Sequence, residues 1–275
     1  MRLVRSNLIA RIRQSRVRFV NLGPFCWPRY AFHRLRERWY RSKSTESNSP
    51  FRQFKLYSPL VPFPLWARQG TSDISVFQQV FGDLEYNELR KLEWDRTGLV
   101  VDCGANVGFS SAFLMNLFPN MKVVAVEPDS SNCEQLKINL APFSERLTVI
   151  EAGVWSEDGG LCFSDSPYRD GQHWSRQVRK SLPNETPALM AVTISTILKN
   201  SGFDKIWLLK VDIERAECVV FAENVEDWLP KVENIVIELH DQECERIFFD
   251  AVRSKDFSVT RSGDLTLCLA SKASD

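Results

Sequence analysis

Apolar residues fall along this chain in short runs separated by polar turns, most clearly over residues 99–129, LVVDCGANVGFSSAFLMNLFPNMKVVAVEPD. Two runs rich in β-branched residues, 99–103 and 123–126, flank a segment where Phe109, Ala112, Phe113, Leu117 and Phe118 recur at helical spacing. Continuous apolar strands joined through a helix predict a βαβ unit with buried parallel strands. The pattern then predicts a helix over 130–141, with Cys133, Leu136, Ile138 and Leu140 partly buried, and a third strand at 147–152. A turn at 157–160 opens a hairpin into a strand at 161–164, and further strands follow at 206–211 and 232–239. A helix at 243–252 precedes a closing hairpin of 257–260 and 265–270, turned at Ser262-Gly263-Asp264. The expected architecture is α/β: a mostly parallel sheet ending in an antiparallel pair, with ligands at the carboxyl ends of its strands.

Upstream the pattern is less regular. Thr71–Asp73 is expected to cap a helix in which Val76, Phe77, Val80 and Phe81 repeat at helical spacing. Residues 51–66 are apolar but interrupted by Pro59, Pro62 and Pro64, which predicts an extended segment packed over the body. The polar stretch 42–50, SKSTESNSP, reads as a linker. Before it, Val4, Leu8 and Ile12 share one helical face and Arg2, Arg5, Arg13 and Arg16 another. Pro24, Phe25, Trp27, Pro28, Tyr30 and Phe32 then read as an irregular aromatic patch. The expected organisation is a basic arm at 1–45, a linker and cap at 46–97, and the principal domain at 98–271.

Charge sharpens that division. The formal net charge is zero, yet residues 1–45 hold 12 Lys/Arg against one acid, Glu37, and the remainder carries the compensating excess of acids. An acidic body gives no sign of nucleic-acid binding. The arm suits an anionic membrane surface, a targeting peptide, an RNA-binding extension or a solvated basic tail. No apolar run approaches the ~18 residues that would span a bilayer, so the expected location is cytoplasmic, with peripheral membrane contact through the arm. Seven cysteines show no C-x-x-C pair, and Cys103, Cys218 and Cys268 are expected to be reduced core residues.

The turn after the first strand carries the chemistry. It reads D-x-G-x-N-x-G (Asp102, Gly104, Asn106, Gly108), and the second strand ends in Glu127-Pro128. Glycines let the backbone bend sharply and leave room for a ligand, and the helix start offers unpaired N–H groups. Glu127, about 20 residues on, sits where a ribose diol needs an acceptor. Asn106 replaces the second glycine of a dinucleotide fingerprint, which disfavours a pyrophosphate and hence a nucleotide-dependent oxidoreductase. The remaining reading without a ligand is a tight βα connection. Gly153-Val154-Trp155 lies where an adenine ring would be sandwiched, although Trp155 serves equally well as core packing. The irregular stretch 165–187, with Tyr168, Arg169, His173, Trp174, Arg176, Arg179 and Lys180, suits a sugar or an acidic acceptor.

Several segments occur together in order: GTSDISVFQQVFGDLEY, VVDCGANVG, VVAVEPDSSN, GVWSEDG, LLKVDIERAE and VIELHD, spanning roughly 68–241. In these the chain resembles the FkbM family of methyltransferases. The resemblance implies a class I methyltransferase (Rossmann-like) fold, with a seven-stranded, mostly parallel sheet and helices on both faces. It implies transfer of a methyl group from S-adenosyl-L-methionine to a hydroxyl of a sugar, glycolipid or other natural product. Carried over by position, Asp102, Gly104, Asn106 and Gly108 line the methionine end of the cofactor, Glu127 with Pro128 its ribose, and Val154 and Trp155 its adenine. Ser195 stands where the family usually has an acid and Arg215 where it usually has glycine; the latter keeps open a non-catalytic cofactor-binding or membrane-associated relative.

A hydroxyl acceptor must lose its proton, which calls for a base or a metal. Asp212 ends the fourth main strand, and Glu238, His240 and Asp241 end the fifth. The arrangement resembles catechol O-methyltransferase, where acids at these two strand ends hold magnesium. Two roles follow: His240 as base with Asp212 orienting it, or a divalent metal, such as magnesium, on Asp212, Glu238 and Asp241. Against both stands a structural Glu238–His240 pair.

Overall fold

The computed structural model describes residues 2–43, 52–93, 95–163, 178–182 and 184–270, and of these all side chains except 2–12, 41–43, 163 and 178. The Val4/Leu8/Ile12 face, the 44–50 part of the linker and the Tyr168–Arg176 portion of the irregular stretch lie outside the described residues. Contacts divide the chain into two compact units, Met1–Arg90 and Lys91–Asp275. The arm and most of the segment expected as a cap therefore share one unit.

That first unit opens on α1 (Arg2–Lys43), a helix broken at Gly23, whose φ of 73° and ψ of 171° are non-helical. Pro24 then takes the first position of the second helical segment, where a missing N–H costs nothing. The aromatic patch is therefore helical, not irregular as expected. Leu22, Tyr30, His33 and Glu37 are buried. The His33 ring stacks on Phe54 at 4.2 Å between centroids, and the Tyr30 hydroxyl donates to Gln78 at 2.6 Å. Glu37 accepts from the Gly70 N–H, and Arg18 pairs with Asp83 at 2.7 Å. The expected extended segment is an antiparallel hairpin of β1 (Gln53–Ser58) and β2 (Val61–Arg68). A two-stranded ladder leaves outward N–H groups unpaired, so Pro62 and Pro64 are tolerated within β2. α2 (Asp73–Phe77) runs into a π-helical turn at Gln78–Gly82. Arg68 holds the wholly buried Asp73 through both its Nε and terminal nitrogen at 3.0 Å.

The second unit contains β3 (Gly98–Cys103), α3 (Phe109–Leu117), β4 (Met121–Glu127), α4 (Ser130–Asn139) and β5 (Leu147–Glu151). After these come β6 (Gly153–Val154), β7 (Gly159–Phe163), β8 (Val178–Lys180), β9 (Leu189–Val192) and α5 (Ile194–Ser201). The chain continues through β10 (Ile206–Val211), α6 (Glu217–Val220), β11 (Val232–Glu238), α7 (Gln242–Val252), β12 (Phe257–Ser262) and β13 (Leu265–Ala270). The main sheet has seven strands in the order β12-β13-β11-β10-β3-β4-β5. β10, β11, β3, β4 and β5 run parallel, while β13 pairs antiparallel with β11 and β12. Strand order reverses between β3 and β10, which opens a crevice at their carboxyl ends.

One sheet face packs Leu99, Val101, Val124, Val126, Leu209, Val211, Ile235 and Ile237 against Phe221, Trp228 and Phe248. A smaller sheet has the order β6-β9-β7-β8. The expected hairpin into β7 is corrected accordingly: β9 inserts between β6 and β7, so the turn joins strands that are not neighbours. Cys103, Cys133, Cys162 and Cys268 are buried free thiols, but Cys218 is bonded to Cys244, linking α6 to α7. That corrects the expectation of a reduced Cys218. The two cysteines lie 26 residues apart, beyond any local spacing rule. Among the described residues no helix is long and apolar enough to cross a membrane.

Candidate functional site

At the end of β3 the Asp102 carboxylate is wholly buried. One oxygen accepts from Ser110 and Ser111 at 2.8 and 2.7 Å; the other pairs with Lys210 at 2.9 Å. Asp102 and Lys210 are register partners across β3 and β10. The Lys210 ammonium, also buried, donates to the Gly104 carbonyl at 2.6 Å and lies 4.0 Å from Asp212. Burial works against its charge, but Asp102 and Asp212 outweigh it and raise the pKa. Asp102 thus braces the turn from behind, with no exposed atom to line a methionine tail as the sequence suggested.

The turn's glycines are required chiefly by the chain itself. Gly104 has φ of +80°, and a Cβ there would stand 1.8 Å from the Asp212 carbonyl oxygen. The Asp212 N–H in turn donates to the Cys103 carbonyl at 3.0 Å, stitching the ends of β3 and β10 together. Gly108, also left-handed, faces the Leu136 and Leu140 side chains at 3.1 Å. The room expected for a ligand is therefore taken by backbone at Gly104 and by leucines at Gly108. Between them Asn106, at φ of +49°, turns its N–H to Glu127 at 2.9 Å.

Glu127 ends β4 and is 6% exposed. It also accepts from the Asp129 N–H at 3.2 Å and the Asn132 amide at 2.9 Å. Burial raises its pKa, and those hydrogen bonds oppose the rise. A carboxylate offers about four acceptor sites, so one stays open on Oε2. Pro128 and Trp155 are half-buried, whereas Val154 sits 3% exposed in the core. Val154 thus belongs to the packing beneath the site and is not available to an adenine, a correction to the expectation.

The ends of β10 and β11 carry the densest charge. His240, its side chain 1% exposed, bonds Glu217 through Nδ1. Its Nε2 lies 3.4 Å from Glu214 and 3.8 Å from both Asp212 and Glu238. Burial alone would lower the imidazole pKa; the Glu217 bond and the charges of Glu217, Asp212 and Glu214 overturn that and raise it to about 9. At neutral pH His240 is an imidazolium, so it is not the free base that the sequence suggested.

Asp241 turns away from this group. It caps α7 by accepting from the Cys244 N–H at 2.9 Å and pairs with Arg215 at 2.7 Å. That removes it from the expected metal set, because a helix N-terminus and a guanidinium hold it elsewhere. Arg215 also reaches Glu243 at 3.3 Å, so this bulky cation is held by acids at the start of α7 and does not float in solvent. Its φ of +75° is the left-handed region glycine prefers, and the neighbouring Glu214 has φ of +51°.

Sequence reasoning missed Lys210, Glu214 and Glu217. Lys210 carried a signal, a lone charge within the apolar run IWLLKV, since such a strand admits a charge only when it is paired. Glu214 and Glu217 lay in plain view within DIERAE, but only the left-handed turn directs them at His240.

Strand order, the glycine turn and the acid at the end of β4 together define the class I methyltransferase fold. The methyltransferase FkbM domain matches residues 102–260, and the chain belongs to that family. It is 28% identical over 193 residues to the methyltransferase sdnD of Sordaria araneosa, covering 59% of this chain and 74% of that protein. To the 31-O-demethyl-FK506 methyltransferase FkbM of Streptomyces tacrolimicus it is 27% identical over 197 residues, covering 60% and 74%. The AMB antimetabolite synthetase AmbE of Pseudomonas aeruginosa is 26% identical over 201 residues, 61% of this chain but 9% of that much longer protein. A crystal structure of a methyltransferase FkbM from Methylobacillus flagellatus superposes with a TM-score of 0.44 at 17% identity, covering 65% of this chain and 44% of that one.

Proposed function

We propose that the protein transfers a methyl group from S-adenosyl-L-methionine to a hydroxyl oxygen of a sugar, glycolipid or other natural product. The observation that carries this reading is the surplus of carboxylates at the ends of β10 and β11, beside the glycine turn. Among the described residues, Asp212, Glu214, Glu217 and Glu238 gather around His240, and Asp212 also lies 4.0 Å from Lys210. Such a surplus favours a cationic sulfonium and supplies acceptors for the proton that a hydroxyl must release. For the cofactor, Glu127 is a fixed, buried carboxylate with one open acceptor site, which fits a ribose hydroxyl. Asn106 and Gly108 form the turn on its methionine side, and Trp155 offers a half-exposed ring to its adenine.

The acceptor side also fits a divalent cation. One oxygen each of Asp212 and Glu238 and one ring nitrogen of His240 lie within 4.8 Å of one another. Glu217 holds the other ring nitrogen, as outer carboxylates do for metal-bound imidazoles. Mixed oxygen and nitrogen donors suit manganese at least as well as magnesium. A bound cation would act as a Lewis acid that acidifies the acceptor hydroxyl. Without it, Asp212, 34% exposed in its side chain, is the carboxylate best placed to take the proton.

Calorimetry with S-adenosylhomocysteine tests the cofactor half. Glu127→Ala should weaken binding by ~2 kcal/mol, the loss of a charge-assisted bond; no binding by the unaltered protein, or equal binding by the variant, refutes the assignment. Turnover of hydroxylated acceptors, with and without chelator and with magnesium or manganese restored, tests the other half.

A further inference from the structure

The second segment of α1 carries large side chains on two opposite faces. One carries Tyr30, His33 and Glu37, buried within its unit. The other carries Phe25, Phe32, Leu35 and Trp39, spaced seven, three and four residues apart and so aligned along one stripe. They are 93%, 60%, 66% and 59% exposed. A continuous stripe of large apolar side chains in water marks a surface that something covers. Its surroundings say what. Arg29 and Arg38 are exposed beside the stripe, and Arg13 and Arg16 are exposed on the segment before the kink. The sole acid of residues 1–45, Glu37, is buried on the opposite face and taken up by the Gly70 N–H. Among the described residues, the exposed side is therefore apolar along its centre, and the charges beside it are basic.

We infer that this face of α1 docks on an anionic lipid bilayer, with Phe25, Phe32, Leu35 and Trp39 entering the headgroup boundary and the arginines meeting acidic headgroups. A helix lying in the interface takes this form, apolar residues below and arginines at the level of the charges. The opposite face stays on β1, so the helix need not leave its unit to bind. The same chemistry excludes a basic protein partner, and it distinguishes the surface from a merely hydrophobic one, because attraction by the arginines is screened by salt.

The test is flotation of the full chain with vesicles of phosphatidylcholine alone or mixed with phosphatidylserine. Binding is expected to the mixed vesicles only, and to fall steeply between about 0.1 M and 1 M salt. Phe32→Ser/Leu35→Ser should abolish it, and Arg16→Gln/Arg38→Gln should weaken it by about fivefold per arginine, a kcal/mol each. All four positions are solvent-facing, so melting curves of the variants should match the unaltered protein. Equal partitioning of Phe32→Ser/Leu35→Ser and the unaltered protein overturns the inference. So does failure to float, whether the protein stays monomeric or forms a dimer that this variant abolishes, the latter naming a second copy as the occupant.

Discussion

Removing the Asp102 carboxylate should unfold this protein more readily than losing its hydrogen bonds alone would suggest. In Asp102→Ala the Lys210 ammonium stays 2% exposed, with the Gly104 carbonyl at 2.6 Å and its next carboxylate, Asp212, at 4.0 Å. Breaking one side of a buried pair typically costs 3–5 kcal/mol, since the remaining charge stays desolvated. Losing the two serine bonds acts in the same direction. Lys210→Met should cost less, because Ser110 and Ser111 still donate to the carboxylate left behind. Asp102→Ala/Lys210→Met removes both charges, so the double variant should be at least ~2 kcal/mol more stable than the sum of the single losses implies. Urea unfolding followed by tryptophan fluorescence measures all four proteins. S-adenosylhomocysteine binding should weaken in Lys210→Met, since Lys210 tethers the Gly104 carbonyl within the turn. Additive losses, or an Asp102→Ala cost below ~1 kcal/mol, would refute this account of the pair.

Gly104→Ala and Gly108→Ala share a left-handed backbone but differ in their surroundings. The first should cost about 3 kcal/mol or more, since its Cβ meets the Asp212 carbonyl, and the second clearly less, since leucine side chains can shift; equal melting temperatures would contradict this. In chelator, stability should fall with alkaline pH. The folded pKa of His240, about 9, lies above the ordinary 6.5, so its stabilisation is complete below about 6.5 and lost as pH rises through about 9. The change is of order 3 kcal/mol by linkage, and His240→Gln should flatten the curve; an unchanged pH profile in that variant would remove the imidazolium from the account. Reducing the Cys218–Cys244 bond, or Cys218→Ser/Cys244→Ser, should cost about 3 kcal/mol for a loop of this length, read as a lower melting temperature; a protein indifferent to reductant would show the bond contributes nothing.

What the sequence made legible follows from which forces are local. Residues 99–129 could be read directly, because strands covered on both faces must be continuously apolar and a helix between them must show its own period. Glu127 was legible for the same reason, as the first acid after such a strand. The bracing of Asp102 was not, since its partner Lys210 lies over a hundred residues away and meets it only through the register of β3 and β10. The departure of Asp241 toward Arg215 depends on two consecutive left-handed residues, Glu214 and Arg215, and hydrophobic period carries no trace of such dihedrals. In α1 the prolines pointed away from a helix. The structure reconciles Pro24, because Gly23 breaks the chain immediately before it, so that this proline begins a segment; Pro28 stays inside the second segment and forgoes one helical N–H bond.

The two strand-end aspartates next to the turn meet opposite fates, and the difference bears on the substrate. Asp102 is neutralised by Lys210, so the turn carries little net charge. Asp212 joins Glu214, Glu217 and Glu238 around His240, with Lys210 4.0 Å away, so acids predominate among the described residues on this side of the crevice. At about 4 Å from an acid, an added negative charge is opposed by ~1 kcal/mol even in bulk water and by more in a partly buried cleft. An acceptor with a phosphate or carboxylate beside its reacting hydroxyl therefore meets repulsion that a neutral sugar or alcohol does not. Paired acceptors differing only in that group separate the two cases. The neutral member should have the higher kcat/KM by at least about tenfold in chelator, and a divalent cation should narrow the gap by cancelling charge where the surplus lies. Preference for the anionic member in chelator would mean that the acceptor approaches away from these acids, and the proton would then leave toward another group.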